Sequence, residues 1–337
     1  MFLTAVNADA RAPLATAFKI PLIVLASMAV LAAIIFIYGG PHPLGLIPGY
    51  VLNALQIQLV AVLAVVGLRI VASLKTGSPI RQIWTGLRDR APLLLLPVVV
   101  FPVFLACFTA VKSALAHLAG FRFDRLFADL DLMIFGIDPW RLTHFYLGSQ
   151  ATFALEYVYV WGWILVIGYA NALIPLLSRP QFITRYYAAS MAMWIVGGVF
   201  CAYLLASAGP TFAHMVDPEF AQRFAPLKAS LAALLPASSP FNHGPLYLEE
   251  GIRSWQAYPG GGISAMPSMH IASVVLLAIA AGRSMLAIPA WLFVAILAVG
   301  SVHSGYHYAV DAILAAVIAL ACWKLAASVA EPLSPAA

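Results

Sequence analysis

The chain has 337 residues, 63% of them hydrophobic and only 9% charged, which leaves too few charges to solvate a water-facing surface and excludes a soluble globular enzyme. The apolar residues fall in blocks long enough for a helix rising about 1.5 Å per residue to cross about 30 Å of hydrocarbon, so the expected fold class is an all-α polytopic membrane protein. The net charge of +5 is scattered between the blocks rather than clustered, and no nucleic-acid partner is implied.

Eight spans are predicted, at 20–38, 47–70, 92–112, 152–177, 187–208, 265–282, 285–302 and 306–328. The first follows Arg11 and Lys19, is longer than the apolar core of a signal peptide and lacks a cleavage site, so it reads as an anchor. Residues 1–90 then form an N-terminal pair of helices and residues 91–330 a six-helix core. Between spans three and four, the stretch 121–148 mixes Phe, Leu, Met and Trp with Asp and Arg at helical spacing, as a helix lying in the membrane interface would. The stretch 209–262, rich in Pro, Gly and Ser, is too long for a mere connector and is expected to be an extracytoplasmic lid or substrate-access loop. The Ser/Pro-containing tail after Glu331 is expected to fray. Cys107, Cys201 and Cys322 each sit inside an apolar block, where they read as small buried hydrophobes. No period of 20 to 50 residues repeats, against a solenoid or a duplicated transporter.

An even number of spans puts both termini on one side. With that side cytoplasmic, eleven of the eighteen basic residues fall on the inner segments and eight acids on the outer ones, which supports termini inside.

All eight histidines then lie on the outer side or at outer span ends. His42, His117, His144, His214 and His243 are expected to be structural. His270 opens the sixth span, while His303 and His307 lie where the seventh returns and the eighth departs. Only Gly282–Arg283–Ser284 separates spans six and seven, so His270 and His307 must reach the same membrane face. Asp311, four residues after His307, is expected one helical turn further along the same face, where it can accept the proton-bearing nitrogen of His307 and leave the other free to attack. His270 is then the acid for the leaving group. Pro267 and Ser268 start its helix, whose unpaired N–H groups can bind phosphate oxygens, and Gly260, Gly261 and Gly262 allow close backbone approach in front of it. His303 reads either as a partner of His307 or as an interfacial side chain. With His307 and Asp311 it also permits a metal site at i, i+4, i+8. Glu156, near the outer end of the fourth span, reads either as a hydrogen-bond acceptor for a neighbouring helix or as a contact to a polar head group.

The run Pro267-Ser268-Met269-His270, followed by Gly305-Tyr306-His307-Tyr308-Ala309-Val310-Asp311, resembles the second and third signature stretches of the type 2 phosphatidic acid phosphatase superfamily. Within it, the HYxxD run and the segment ADLDLMIFGIDPWRL resemble the branch of inositol phosphorylceramide and sphingomyelin synthases. The strong motifs cover 267–311, a weaker resemblance reaches back to about 120, and the first two spans are not covered. The resemblance implies a six-helix core and a phosphohistidine mechanism on lipid phosphates, without metal or cofactor: His307 as nucleophile, Asp311 as its orienting carboxylate and His270 as general acid and base. The substrate implied is a membrane lipid, whether phospholipid, sphingolipid or polyprenyl phosphate.

Two departures stand out. The Ser-Arg that opens the third motif is here Gly300-Ser301, so the phosphate-neutralising arginine is missing. The first motif, Lys-x6-Arg-Pro, has no match either: Arg81 and Arg88 have the spacing, but Asp89 follows and both lie on the inner side. The outer cations left to replace the arginine are Arg253, Lys228, Arg223, Arg125 and Lys112, of which Arg253 is closest in sequence to His270. The expected substrate-binding set is therefore Ser268, Arg253, His303 and Glu156. The missing arginine favours transfer of a phosphorylated head group over hydrolysis. The alternatives are a plain lipid phosphate phosphatase, a metal-dependent membrane hydrolase and a transporter, against which Asp311 near a span end argues.

Overall fold

The computed structural model describes residues 11–76 and 80–330; the tail after Glu331, expected to fray, lies outside them. Every regular element among the described residues is helical. The first two helices, α1 (Arg11–Ile37) and α2 (Ile47–Thr76), are followed by the short basic α3 (Ile80–Arg90). The chain then enters α4 (Phe101–Ser113) through a 3-10 turn at Ala91–Leu94 and a π turn at Leu96–Val100. Pro92, Pro97 and Pro102 recur through this stretch. Each lacks the N–H that an i to i−4 ladder needs, and the tighter and wider turns accommodate the gaps.

Five stretches are long and apolar enough to cross a membrane: Ala17–Ile37, Ile47–Leu74, Ile83–Leu118, Ser149–Leu177 and Pro180–Leu204. The fourth comprises α7 (Ser149–Tyr157), a π turn at Val158–Gly162 and α8 (Trp163–Leu177), and the fifth begins with α9 (Pro180–Ile195). Three shorter helices follow near the C-terminus: α12 (Met269–Ala281), α13 (Ala287–His303) and α14 (Ala309–Leu325). The chain is thus an all-α polytopic membrane protein. In the bundle α12 packs along α13 and α14, α9 lies against α1 and α14, and α2 lies against α8. The outward side chains of the first two helices stay uncovered, Ile37, Leu68 and Leu74 being 77%, 72% and 79% exposed, a surface that hydrocarbon rather than water must solvate.

At the end of the bundle reached by the C-termini of α8 and α14, arginines satisfy the last carbonyls. Arg90 donates to Pro175 O and Ser178 O at 2.8 Å each, Arg69 donates to Leu176 O, and Arg185 donates to Trp323 O. Cations there oppose the negative ends of the helix dipoles.

The opposite end differs from the sequence expectation in two places. The interfacial stretch is two helices rather than one, α5 (Asp124–Phe135) and α6 (Pro139–Tyr146). Gly136, at φ 72°, ends the first, and Asp138-Pro139 starts the second with Pro at its first position. The stretch 209–262 is not an open loop: it carries α10 (Pro218–Leu234) and α11 (Pro240–Arg253). Both start from the same local chemistry. Asp217 accepts from Phe220 N and Ser239 from Asn242 N, each followed by Pro at the first helical position.

The burial of α5 is divided. Asp124 and Asp131 are 0% and 2% exposed beside buried Phe127 and Ala128, whereas Met133 and Ile134 are 74% and 54% exposed and Asp129 pairs with Arg223 at the surface. The uncovered apolar side chains at the end of this helix suit contact with lipid.

Candidate active site

The site is built where α12 and α14 start. Ser268 caps α12, its Oγ accepting from Ile271 N at 3.4 Å, so His270 stands on the first turn with the helix's unpaired N–H groups around it. Ser268 is fully buried and its oxygen is committed to that cap; Pro267 lies one residue before the cap rather than within the first turn. At the far end of the hairpin α13 stops at His303, and a turn through Ser304 and Gly305 (φ 71°) leads to Tyr308, the cap of α14.

His307 therefore precedes its helix instead of lying on it, and its contact with Asp311 is part of the cap rather than an i, i+4 pair along one face. Asp311 Oδ2 accepts from Tyr308 N at 3.0 Å and from His307 Nδ1 at 3.1 Å. His307 Nδ1 also donates to Ala265 O at 2.8 Å. Both partners of Nδ1 are acceptors, so the proton is on Nδ1 and the lone pair is on Nε2. The His270 and His307 rings meet edge to face, with centroids 6.3 Å apart at 63°. On its other side His270 is held by aromatic rings, Tyr159 at 4.8 Å and Trp163 at 4.3 Å.

The remaining residues expected at the site divide sharply. Arg253 is 74% exposed at its side chain and, among the described residues, pairs only with Glu250, at 3.0 Å. Arg125 is taken by Asp217 and Glu219, and Arg223 by Asp129 and Asp138. Lys228 meets His214 at 3.2 Å. Lys112, near the end of α4, is an outer cation whose charge acts on His270. It is brought there by the glycine run, since a methyl group on Gly262 would stand 2.8 Å from the Lys112 backbone.

His303 points away from His307. Its Nδ1 meets Thr143 Oγ1 at 3.1 Å and its Nε2 meets Thr152 Oγ1 at 3.0 Å, locking α13 to α6 and α7. Because the helix ends between them, His303, His307 and Asp311 do not share a face. Among the described residues no three His, Cys, Asp or Glu side chains are grouped to hold a metal ion. Glu156 is 0% exposed and accepts from Phe241 N at 3.2 Å, fastening the start of α11 to α7; its Oε1 has no hydrogen-bond partner among the described residues.

Three further residues shape the site. Asp131 accepts from Ala309 N at 2.8 Å and Val310 N at 3.0 Å, holding the first turn of α14. Asp124 accepts from Ala208 N, Gly209 N and the Tyr308 hydroxyl, the last at 2.7 Å. Burial raises the pKa of both carboxyls, that of Asp131 to about 6, against the lowering effect of the N–H groups they bind. Seven residues apart on one helix, they clamp the segment that carries His307. Their spacing was visible in the sequence, but an amphipathic helix is ordinarily read with its acids toward water. The third is Tyr159, whose ring stacks on His270.

Comparison with curated proteins and with solved structures finds no match for this chain. Residues 130–325, by contrast, match the family model described as the PAP2 superfamily. The match runs from within α5 through α14 and contains His270, His307, Asp311 and Asp131, and the chain belongs to the PAP2 superfamily.

Proposed function

We propose that this protein moves a phosphoryl-linked group from a membrane lipid by double displacement through a phosphohistidine at His307, on the extracytoplasmic face, with both termini in the cytoplasm. The observation that carries the reading is the bonding of His307: Nδ1 donates to both Ala265 O and Asp311 Oδ2, which leaves the lone pair on Nε2, with the His270 ring 6.3 Å away. In the first step that lone pair attacks phosphorus, the P–O bond to the leaving alcohol breaks, and His270 gives the departing oxygen its proton. In the second step an acceptor O–H attacks the phosphorus. His270 takes the acceptor's proton, the P–N bond breaks and Nε2 is restored. Asp311 offsets the positive charge on the His307 ring while phosphorus is attached. Written this way the chemistry needs no metal ion or cofactor, and turnover is expected to survive a chelator.

Lys112 takes the place of the missing motif arginine as the cation for the phosphoryl oxygens, in preference to Arg253. One fixed cation suits a phosphodiester, which carries one negative charge, better than a phosphomonoester dianion. This favours transfer of a head group to an acceptor hydroxyl, as in the inositol phosphorylceramide synthase branch that the motifs resemble, over hydrolysis of a lipid phosphate. Water in place of the acceptor gives the hydrolytic reaction by the same steps.

The test is to incubate purified protein with lipid labelled at phosphorus and to seek an acid-labile, base-stable adduct. Label mapping to His307, with neither label nor turnover in His307→Ala, is the expected result. Wild-type turnover with no such adduct, or retained turnover in His307→Ala, overturns the nucleophile assignment.

A further inference from the structure

Tyr159 has no part in the steps above, yet it is the most conspicuous unsatisfied group beside them. The side chain is 2% exposed and its hydroxyl has no hydrogen-bond partner among the described residues. A phenol buried in protein ordinarily finds one, because losing water without replacement is costly. Its ring lies nearly parallel to the His270 imidazole, 4.8 Å away at 17°, and its oxygen is within electrostatic reach of Asp311. The phenol ring is thus held against the proposed acid.

Two features of the backbone serve this placement. Tyr159 sits in the π turn Val158–Gly162, and an extra residue in a helical turn re-aims the side chains that follow, a device common at functional sites. The ring also needs Gly300 across from it: a methyl group there would stand 2.9 Å from Tyr159 Cδ2 and 3.3 Å from Cβ and Cγ. Gly300 and Ser301 are the two positions where the third motif otherwise carries Ser-Arg. The slot that admits the phenol thus adjoins Ser301, the position where the resembled motif carries its arginine.

We propose that the Tyr159 hydroxyl donates a hydrogen bond to a non-bridging phosphoryl oxygen during transfer to and from His307, supplying with a neutral donor what the absent arginine would supply with charge. The proposal rests on the phosphohistidine reading of the site. In it the unpaired hydroxyl is a preorganised donor that gains its partner only when phosphorus is in place.

The test is Tyr159→Phe, which keeps the ring and its stack on His270 and removes only the oxygen. The probe is phosphatidylinositol or phosphatidic acid labelled at phosphorus, in mixed micelles, with whichever the wild type turns over. The expected result is a fall in kcat of about 100-fold, the order seen when one oxyanion donor is lost, with KM changed by less than about twofold and the apparent melting temperature unchanged. A second variant separates the hydroxyl from the packing. Gly300→Ala, which crowds the ring, is expected to lower kcat in the wild type but to add less than about threefold in the Tyr159→Phe background. If kcat of Tyr159→Phe stays within about twofold of wild type, or if Gly300→Ala costs the same in both backgrounds, the hydroxyl is not a donor to the substrate and the proposal is overturned. Absence of a wild-type adduct on His307 overturns the mechanism itself. An adduct present in wild type with an unaffected Tyr159→Phe overturns this inference alone.

Discussion

Two pairs of histidines lie at the same end of the bundle, and they are wired in opposite ways. His144 and His303 have ring centroids 4.2 Å apart, and every one of their four ring nitrogens is engaged. His144 Nε2 donates to the His303 carbonyl at 2.8 Å, so Nδ1 of the neutral ring accepts from Ser230 Oγ at 2.7 Å. Thr143 Oγ1 gives its proton to Trp140 O and accepts from His303 Nδ1, which leaves His303 Nε2 to accept from Thr152. Burial lowers the His144 pKa, in keeping with a ring that stays neutral. In the second pair, His270 and His307, the hydrogen bonds among the described residues engage only His307 Nδ1. The first arrangement has a place for each proton and nothing left to offer. The second holds a lone pair, a movable proton and an unpartnered phenol in reserve. Satisfied polar groups make a joint between helices, and reserved ones make a site.

The largest expected effect tests this contrast directly. His270→Ala should reduce kcat by about 10³-fold, the range for loss of a general acid, with the apparent melting temperature nearly unchanged. His303→Ala should do the reverse, lowering the melting temperature by several degrees through its orphaned threonines while kcat per folded molecule stays within about twofold. A His303→Ala variant that is stable and inactive would break the comparison and return His303 to the site.

The cations give the next contrast. Lys112→Ala should lower kcat/KM by about 10- to 100-fold, the worth of a charge-assisted hydrogen bond in a site shielded from water. Arg253→Ala should change it by less than about twofold, since an exposed ion pair with a neighbour one helical turn away contributes little. If the ranking were inverted, the substrate would approach over α11 rather than past the end of α4.

These contrasts also show which physics the sequence carries openly. Span positions are legible because each is a block of apolar residues set by bilayer thickness. The meeting of His270 and His307 is legible because a three-residue turn between two spans permits no other outcome. What resisted reading depends on tertiary contacts between distant segments. Arg253 is close to His270 in sequence but exposed in the fold, whereas Lys112 comes from α4, where Gly262 packs against its backbone. His303 could not be separated from His307 without knowing that the helix stops between them. The starts of α10 and α11 were present as Asp217-Pro218 and Ser239-Pro240, but the Pro, Gly and Ser around them read as loop.

The smallest expected effect concerns Asp131, which connects α5 to the start of α14. Burial holds its carboxyl at about 6 in the folded protein, with the Ala309 and Val310 N–H groups working the other way; in the unfolded chain it returns to about 3.9. The native state thus binds this proton more tightly than the unfolded state does. The stability it contributes is fully present below about pH 4 and is lost as pH rises through about 6. Asp131→Asn carries no titrating proton, yet keeps an oxygen that can accept from one of the two N–H groups. The difference in apparent melting temperature between wild type and Asp131→Asn should therefore shift with pH between about 4 and 6, by a few degrees and to the disadvantage of the wild type at the higher pH, and stay constant outside that window. A difference independent of pH would mean that Asp131 is not desolvated by the helix it caps. The carboxylate would then belong with the exposed ion pairs of the outer surface rather than with the buried clamp that sets the position of His307.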